Sequence, residues 1–201
     1  ILAAAAAIGA AWFLYNHSTQ TAVASEDGPG PNLIIQVAGA EANGPVVIDL
    51  LPDIAPKHVA QITELARTGA YDNVVFHRVI QDFMAQTGDV GYGKAGGDLS
   101  MAGMGGSDKP DLPAEFSDLS YVRGTVGMAR SNDPNSANSQ FFIMFTDSVT
   151  VDGVVHPYDE VLKGQYTVVG HVISGMEVVD AIQRGEPPAT PDVMTKVTVQ
   201  E

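Results

Sequence analysis

An arginine, a glutamine and two large apolar side chains stand close together in one β-rich part of the sequence. Arg78 comes first, and Phe83, Met84 and Gln86 follow shortly after it. A second run, Ser139-Gln140-Phe141-Phe142-Ile143, adds another glutamine and two aromatic rings. A charged donor and amides beside an apolar wall can hold a small apolar ring that carries an amide next to it. We therefore expect the two runs to share one binding face.

Each of these residues, taken alone, is more typical of an ordinary structural role. An arginine on a strand is usually solvated or ion-paired, and phenylalanine and methionine are usually core residues. The order and spacing of the whole set favour a functional site. His77, the neighbour of Arg78, is interpreted as a structural residue outside that site.

Other kinds of chemistry find little support in the sequence. Residues 91–96 fit G-x-G-x-x-G, but a dinucleotide site requires a helix to begin there, and more glycine with aspartate and serine follows. The 5 histidines lack H-E-x-x-H spacing, and no G-x-S-x-G motif occurs. No cysteine is present, which excludes disulfides and thiolate ligands. We predict neither a metal nor a cofactor.

The charge of the chain argues against polyanionic partners. Lysine and arginine number 10 against 24 acidic residues, so the formal net charge is −14. Nucleic acids and anionic lipid headgroups are bound by clustered cations. We therefore expect no nucleic-acid partner.

The first residues predict export or membrane attachment. Residues 1–15 carry no charge, and Trp12 and Tyr15 stand at the end of this run, as at a membrane interface. Ala22-Val23-Ala24 fits a signal-peptide cleavage site. Residues 1–24 are therefore predicted to form a hydrophobic helix, either a signal peptide or a retained inner-membrane anchor, with the anchor slightly favoured. Residues 25–32 read as a linker, and the expected location is the periplasm.

The elements that must position the site are mostly strands. Runs rich in β-branched and aromatic residues predict strands at residues 33–37, 46–50, 74–80, 83–86, 124–129, 140–145, 167–172 and 193–199. Helical spacing predicts a first helix that starts near Pro56 and ends at Gly69, and a second over residues 176–183. Residues 88–106 read as a glycine-rich loop. About eight strands is the number at which a closed barrel fills its own interior with side chains.

The two runs resemble the signature of the cyclophilin family. Residues 76–89 match the pattern FHR.I..FM.Q.GD, a strand with Met128-Ala129 follows, and residues 139–143 read SQFFI. The likeness continues through residues 166–172 and 175–180, so residues 33–201 form one domain of this kind. The resemblance implies a mainly β fold, an eight-stranded closed antiparallel β-barrel capped by two α-helices. It also implies peptidyl-prolyl cis/trans isomerase activity on proline-containing polypeptides.

Carried over residue by residue, the resemblance makes Arg78 the catalytic arginine. It implies that the substrate is bound by Phe83, Met84, Gln86, Ala129, Arg130, Gln140, Phe142, Val151 and Tyr166. Arg130 stands where animal members usually carry asparagine, and Tyr166 where a histidine often stands. Thr150 stands at the position often filled by tryptophan, so we expect no tight binding of cyclosporin. An insertion at residues 154–164 lengthens the loop beside the pocket.

Two functions are compatible with these features. The first is an exported isomerase that accelerates X-Pro bond rotation in client proteins during folding. The second is a structural or interaction subunit of a membrane protein complex that uses the same scaffold. The hydrophobic N-terminus, Thr150 and the insertion at residues 154–164 support the second.

Overall fold

In the computed structural model, which describes residues 26–201, eleven strands and three helices follow one another along the chain. The strands are β1 (Asn32–Ala38), β2 (Gly44–Leu50), β3 (Val74–Val75), β4 (Arg78–Ile80), β5 (Met84–Thr87), β6 (Thr125–Met128), β7 (Phe141–Met144), β8 (Ser148–Val151), β9 (Val154–Pro157), β10 (Val168–Ser174) and β11 (Val193–Gln200). The helices are α1 (Pro56–Arg67), α2 (Asp159–Leu162) and α3 (Met176–Asp180).

Nine of these strands form one curled antiparallel sheet in the order β3-β11-β1-β2-β10-β6-β7-β5-β4. The fold is therefore mainly β, as expected, but the sheet has nine strands rather than eight. The expected strand over residues 74–80 is divided in two, and its halves, β3 and β4, form the two edges of the sheet. No ladder joins these edges within residues 26–201, so the closed barrel stays a prediction.

Burial alternates along β1. In β1, Leu33, Ile35 and Val37 are buried while the residues between them are more exposed. This alternation sends every second side chain to the core face of the sheet. The same face of the neighbouring strand β2 contributes Val46 and Ile48.

Helix α1 covers the core with the face that its spacing predicts. Val59, Ile62 and Leu65 are buried, and a proline at the first turn starts the helix. The N-terminus is capped from a distant loop, because Glu115 accepts hydrogen bonds from the backbone N–H groups of Lys57 and His58. The other predicted helix is observed as α3, which ends earlier than expected, at Asp180.

The glycine-rich segment at residues 88–106 contains no helix, and it is organised by one buried carboxylate. Asp89 is fully buried, and its two oxygens accept hydrogen bonds from four backbone N–H groups, those of Gly91, Tyr92, Gly103 and Gly105. A carboxylate that accepts several backbone hydrogen bonds fixes the chain around it. The segment therefore has a defined path beside the site.

The insertion at residues 154–164 is not a plain loop. It contains β9 and α2, and β9 pairs with β8 as a separate hairpin that is outside the main sheet.

The predicted leader at residues 1–24 lies outside the described residues. Across residues 26–201, no helix is both long and apolar enough to span a bilayer.

Candidate active site

The register of four neighbouring strands brings the first group of site residues into one row. Arg78 on β4 lies opposite Gln86 on β5, Gln86 lies opposite Phe142 on β7, and Phe142 lies opposite Gly127 on β6. Directly opposed residues in a sheet project from the same face. Met84, two residues before Gln86 on β5, shares that face because side chains alternate along a strand.

A cavity of about 210 Å³ opens above this row. Its wall is formed by Arg78, Phe83, Met84, Gln86, Ala129, Arg130, Phe142, Leu162 and Tyr166. Eight of the ten residues predicted from the sequence therefore lie together. Pockets for drug-sized ligands measure about 300–1,000 Å³, so this cavity fits a single small ring better than a whole small molecule.

Aromatic rings form the deep wall of the cavity. The Phe142 ring stacks on Tyr121, with centroids 5.9 Å apart, and meets the Tyr166 ring edge-on. Gly127 lies directly beneath, where an added Cβ would stand 2.5 Å from Phe142 Cζ. Tyr121 is buried, which raises the pKa of its hydroxyl, and that hydroxyl donates to Tyr166 O over 2.9 Å. Phe142 is thus fixed in place by its neighbours.

A chain of amide hydrogen bonds connects Arg78 to the glycine-rich segment. Gln86 Oε1 accepts from Arg78 Nη1 at 3.4 Å, and Gln86 Nε2 donates to Gln140 Oε1 over 2.9 Å. Gln140 Nε2 then donates to the carbonyls of Gly103 and Gly105, at 3.0 and 2.7 Å. Gln140 therefore lies just outside the first cavity, in the wall of an adjoining one of about 310 Å³ that also includes Gln86, Ala129 and Arg130.

Arg130 closes one side of the cavity in a fixed position. Its guanidinium lies over the Tyr166 ring, 4.5 Å from the centroid, and its Nε and Nη1 atoms donate to the carbonyls of Gln165 and Ser131, both at 2.9 Å. Such a cation–π contact adds about 0.5–1 kcal/mol at an exposed position. Ala129, beside it, donates its backbone N–H to Gln140 O over 3.0 Å.

Val151 is the predicted site residue that the structure does not bring to either cavity. It lies at the end of β8, half exposed, where the turn at Asp152-Gly153 reverses the chain. Leu162 on α2 supplies the aliphatic wall instead and is buried. Sequence reasoning missed Leu162 because residues 154–164 read as loop.

Tyr158, just before α2, also escaped prediction. It stacks on Phe83 with centroids 4.7 Å apart, and its hydroxyl donates to Asp82 O over 2.6 Å. Tyr158 and Leu162 stand four residues apart, which is the spacing of one helix face. That spacing was the signal that could have identified both residues.

The electrostatic partner of Arg78 is Glu186, which accepts a hydrogen bond from Arg78 Nε over 2.7 Å. His77, in the connection between β3 and β4, is almost completely buried, and this burial lowers the pKa of its imidazole. The structural role of His77 stays a prediction. Within residues 26–201, no group of three or more histidine and acidic side chains is arranged to hold a metal ion.

Comparison with known proteins identifies relatives along most of the chain. Residues 34–200 match the family model described as cyclophilin type peptidyl-prolyl cis-trans isomerase/CLD. A protein of Brucella suis named probable peptidyl-prolyl cis-trans isomerase is 51% identical over 190 residues, which cover 91% of this chain and 88% of the relative. Peptidyl-prolyl cis-trans isomerase 9 of Schizosaccharomyces pombe is 39% identical over 146 residues, covering 71% of this chain and 21% of the relative.

Solved structures agree with the sequence relatives. The crystal structure of a cyclophilin from Hirschia baltica superposes with a TM-score of 0.66 at 26% identity, over 85% of this chain and 74% of that one. A cyclophilin type isomerase of Cryptosporidium parvum, crystallised in the presence of the dipeptide Ala-Pro, also gives 0.66. It is 23% identical and covers 85% of this chain and 99% of its own, so it supports the fold alone.

Proposed function

This chain belongs to the cyclophilin-type peptidyl-prolyl cis-trans isomerase family, and from that premise we propose that the cavity beside Arg78 is where it isomerises X-Pro bonds. One observation carries the proposal. The Arg78 side chain and the apolar side chains of Phe83, Met84 and Phe142 line the same small cavity. The substrates are proline-containing segments of client polypeptides.

The reaction is a rotation that amide resonance opposes. The peptide bond has partial double-bond character, with a barrier of about 18–20 kcal/mol, and X-Pro bonds take tens of seconds or longer to isomerise unaided. No bond has to be made or broken between heavy atoms. The task of the site is therefore to stabilise the twisted state in which resonance is lost.

Arg78 is the group suited to that task. When the bond twists, the proline nitrogen becomes pyramidal and its lone pair localises, so it accepts a hydrogen bond better than the planar nitrogen does. Within the described residues, Arg78 Nε and Nη1 have partners, whereas Nη2 has none. We assign Nη2 as the donor to the twisted imide, which makes Arg78 the catalytic residue. An interaction made mainly in the transition state raises kcat.

The apolar wall makes this hydrogen bond stronger. Phe83, Met84, Phe142 and Leu162 would hold the pyrrolidine ring and exclude water around it. A charge-assisted hydrogen bond is about twice as strong as a neutral one, and more so in a low-dielectric site. Lowering the barrier by about 5.5 kcal/mol gives an acceleration of roughly 10⁴-fold.

The polar residues along the rim fit an extended peptide backbone. Gln86 is oriented by its bonds to Arg78 and Gln140, and we assign it to the carbonyl side of the substrate. Ala129 and Arg130 lie along the edge shared by the two cavities, where the residues before the proline would run. Tyr166 supports both Arg130 and Phe142.

An assay on an X-Pro tetrapeptide tests the role of Arg78. Loss of one preorganised donor to developing charge lowers catalysis by about 10²–10³-fold in comparable sites, and we expect a fall of that order in kcat/KM for Arg78→Ala. Arg67→Ala is the matched control, because Arg67 pairs with Glu201 and does not line the cavity. An Arg78→Ala enzyme as active as the parent would overturn the assignment.

The comparisons do not favour the rival function as a structural subunit, and they give no support to a membrane-complex partner. The two functions make different predictions for the purified protein. A scaffold without activity would leave tetrapeptide isomerisation at the uncatalysed rate. Isomerisation that depends on Arg78 would exclude it as the sole function.

We propose further that the enzyme acts in the periplasm. The support is the uncharged run at residues 1–15 and the small-residue pattern Ala22-Val23-Ala24. Fractionation of cells into periplasm, membranes and cytoplasm tests this location, and the mass of the recovered protein distinguishes cleavage after Ala24 from a retained anchor. Recovery of the protein from the cytoplasmic fraction with its leader intact would overturn the proposal.

We also propose that the curled sheet closes as a barrel. Its edge strands β3 and β4 are separated by only Phe76 and His77, and Val79 exchanges backbone hydrogen bonds with Gly185 at the open end. Slow amide exchange at Phe76 and His77, whose N–H groups donate to Asp192 O before β11 and to Gln86 O on β5, would support closure, and exchange at the rate of a free edge would contradict it.

A further inference from the structure

The hairpin formed by β8 and β9 is an unusual part of this surface. Within residues 26–201 its two strands pair with each other and with no other strand, and every residue of β9 is exposed. The turn Asp152-Gly153 has φ values of 51° and 79°, which is the two-residue turn that suits a tight hairpin. An isolated two-stranded hairpin is marginally stable in water, so this hairpin would gain stability from a third strand.

The hairpin is also where exposed apolar side chains concentrate. Within residues 26–201, ten large apolar residues are exposed, and four of them, Val151, Val154, Val155 and Val161, belong to this insertion and its flank. Val151 lies directly opposite Val154 on one face, with Val149 and His156 beside them. Val155 lies opposite Thr150 on the other face. Val151 and Val154 therefore form an exposed apolar pair on one face, and exposed apolar patches mark interaction surfaces.

Both outer edges of the hairpin have unused backbone groups. The bond from Tyr158 N to Asp147 O makes residues 147 and 158 a hydrogen-bonded pair, and such pairs alternate along an antiparallel ladder. Thr150 and Val155 therefore form a non-hydrogen-bonded pair, with their N–H and C=O groups directed outwards. Among the described residues these groups have no partner, so an extended chain can add as a third strand.

The hairpin is joined directly to the wall of the cavity. Tyr158 follows β9 immediately and stacks on Phe83, and Leu162 at the end of α2 lines the cavity itself. A strand rises about 3.3 Å per residue, so the tip of the hairpin lies roughly 15 Å along the chain from Tyr158. A polypeptide with its proline in the cavity can reach the hairpin with a segment only a few residues away.

The charges around the hairpin define the segment that fits. Residues 147–163 contain four acidic side chains, Asp147, Asp152, Asp159 and Glu160, and one lysine, Lys163. The whole chain is also acidic, with a net charge of −14. A partner with lysine or arginine next to its apolar residues is attracted, whereas an anionic lipid surface or a second copy of this chain is repelled.

We propose that β8 and β9 form a docking surface for an extended apolar segment of the client that carries lysine or arginine, a few residues from the proline held at Arg78. This inference rests on the proposed function, because it names a second contact for the same substrate. The hairpin selects unfolded, basic clients by adding their chain to one of its edges. Short proline peptides cannot make this contact.

Two peptides and one pair of variants test the surface. The first peptide is an X-Pro tetrapeptide, and the second extends it with a lysine-containing valine and isoleucine segment. We expect the wild-type KM for the long peptide to be about tenfold lower, equivalent to about 1.4 kcal/mol. The double variant Val154→Ser/Val155→Ser should lose this preference and keep its tetrapeptide kcat/KM. Ile54→Ser, an exposed apolar position outside the cavity, is the matched control.

A charge variant gives an independent measurement. Asp152→Asn keeps a residue that tolerates the positive φ of the turn, and Glu160→Gln removes a second negative charge. The combined variant should bind the long peptide several-fold more weakly and with a smaller dependence on salt. Equal KM values for the two peptides with wild type, or an unchanged preference in both variants, would overturn the proposal.

A proline-free version of the long peptide, with alanine in place of proline, separates this inference from the proposed function. It should still shift the NMR signals of Val151, Val154 and Val155. If it does so while the tetrapeptide is not isomerised, the proposed function fails and the docking surface stands. The proposal is overturned if the peptide causes no such shifts and the same residues shift with anionic vesicles, which would identify a membrane as the occupant. It is likewise overturned if they shift only when the protein alone is concentrated, which would identify a second copy.

Discussion

Arg78 Nε donates a hydrogen bond to Glu186 Oε1 over 2.7 Å, although the two residues are 108 positions apart in the sequence. Gln86 Oε1 lies 3.4 Å from the Nη1 atom of the same guanidinium. The charged plane of Arg78 is thus held by two acceptors, one on the neighbouring strand and one on the loop after α3. Both members of the ion pair are about half exposed, which limits its contribution to stability.

Glu186 is therefore expected to affect catalysis more than folding. Glu186→Ala removes the acceptor that holds Arg78 Nε, and we expect kcat for an X-Pro tetrapeptide to fall several-fold. Exposed ion pairs contribute about 0–1 kcal/mol, so the unfolding free energy should change by no more than that. Glu186→Gln keeps an acceptor oxygen and should retain most of the activity. If the alanine and glutamine variants have the same kcat, Glu186 does not act by positioning Arg78.

Gly127 is expected to be essential for the shape of the cavity. A Cβ at this position would lie 2.5 Å from Phe142 Cζ and 2.8 Å from the Tyr121 hydroxyl oxygen, so Gly127→Ala must displace the aromatic wall. Overpacking of this kind costs about 1–3 kcal/mol of stability. We expect a lower melting temperature and a raised KM. Gly97→Ala places its Cβ 3.2 Å from Lys94 O and away from the cavity, so it should lower the melting temperature less and leave KM unchanged, and a fully active Gly127→Ala enzyme would contradict the geometry.

Leu162, rather than Val151, is expected to contribute to the binding of proline. Leu162→Ala opens the cavity wall and should raise KM for the tetrapeptide, with a stability cost of about 2–5 kcal/mol if the site does not collapse. Leu162→Met conserves volume and should restore binding. Val151→Ala should leave tetrapeptide kinetics unchanged, because Val151 lines neither cavity. A raised KM in Val151→Ala with none in Leu162→Ala would reverse the assignment.

Folding stability is expected to decrease as the pH falls below neutral. Burial lowers the pKa of His58, His77 and His171, since an imidazolium is disfavoured in the interior. The unfolded chain, with histidine pKa values of about 6.5, then binds protons more readily than the native state once the pH drops through that value. The stability from these neutral histidines is present above about pH 6.5 and is lost progressively below it.

Glu115 extends the loss of folding stability to lower pH. Burial alone would raise its pKa, but hydrogen bonds from the His58 ring, at 2.6 Å, and from the backbone N–H groups of His58 and Lys57 outweigh that and lower it. Its contribution is present above its unfolded pKa of about 4.3 and is lost as the pH falls further. Urea unfolding at pH 7, 6, 5, 4 and 3 measures both effects. A constant unfolding free energy over this range would refute the assignment.

Much of the site was predictable because its residues are local in sequence. Arg78, Met84 and Gln86 lie on one strand pair, with Phe83 in the turn between its strands, and period-two alternation determines which strand side chains share a face. The second run, residues 139–143, added Gln140 and Phe142 to the predicted site, because its strand was expected to pair close to the first run. The observed cavity contains eight of the ten predicted residues.

The residues that sequence reasoning missed are those whose place depends on long-range packing. Glu186 reaches Arg78 from the loop after α3, and no local spacing connects the two. Leu162 reaches the cavity because the Asp152-Gly153 turn makes residues 148–157 a hairpin and returns the chain to α2. Val151 lies next to this turn, at the end of β8, and does not line the cavity.

The amino-acid sequence by itself determined most strands of the main sheet, the covering helix and the identity of the central guanidinium and apolar residues. Alternation, helical spacing and side-chain chemistry are properties of neighbouring residues. Only the tertiary structure decided that the sheet has nine strands with β3 and β4 at its edges, that Leu162 replaces Val151, and that Glu186 holds Arg78. The physical reason is that these relationships are contacts between segments far apart in the chain, and such contacts depend on how whole elements pack and not on the residues adjacent to them.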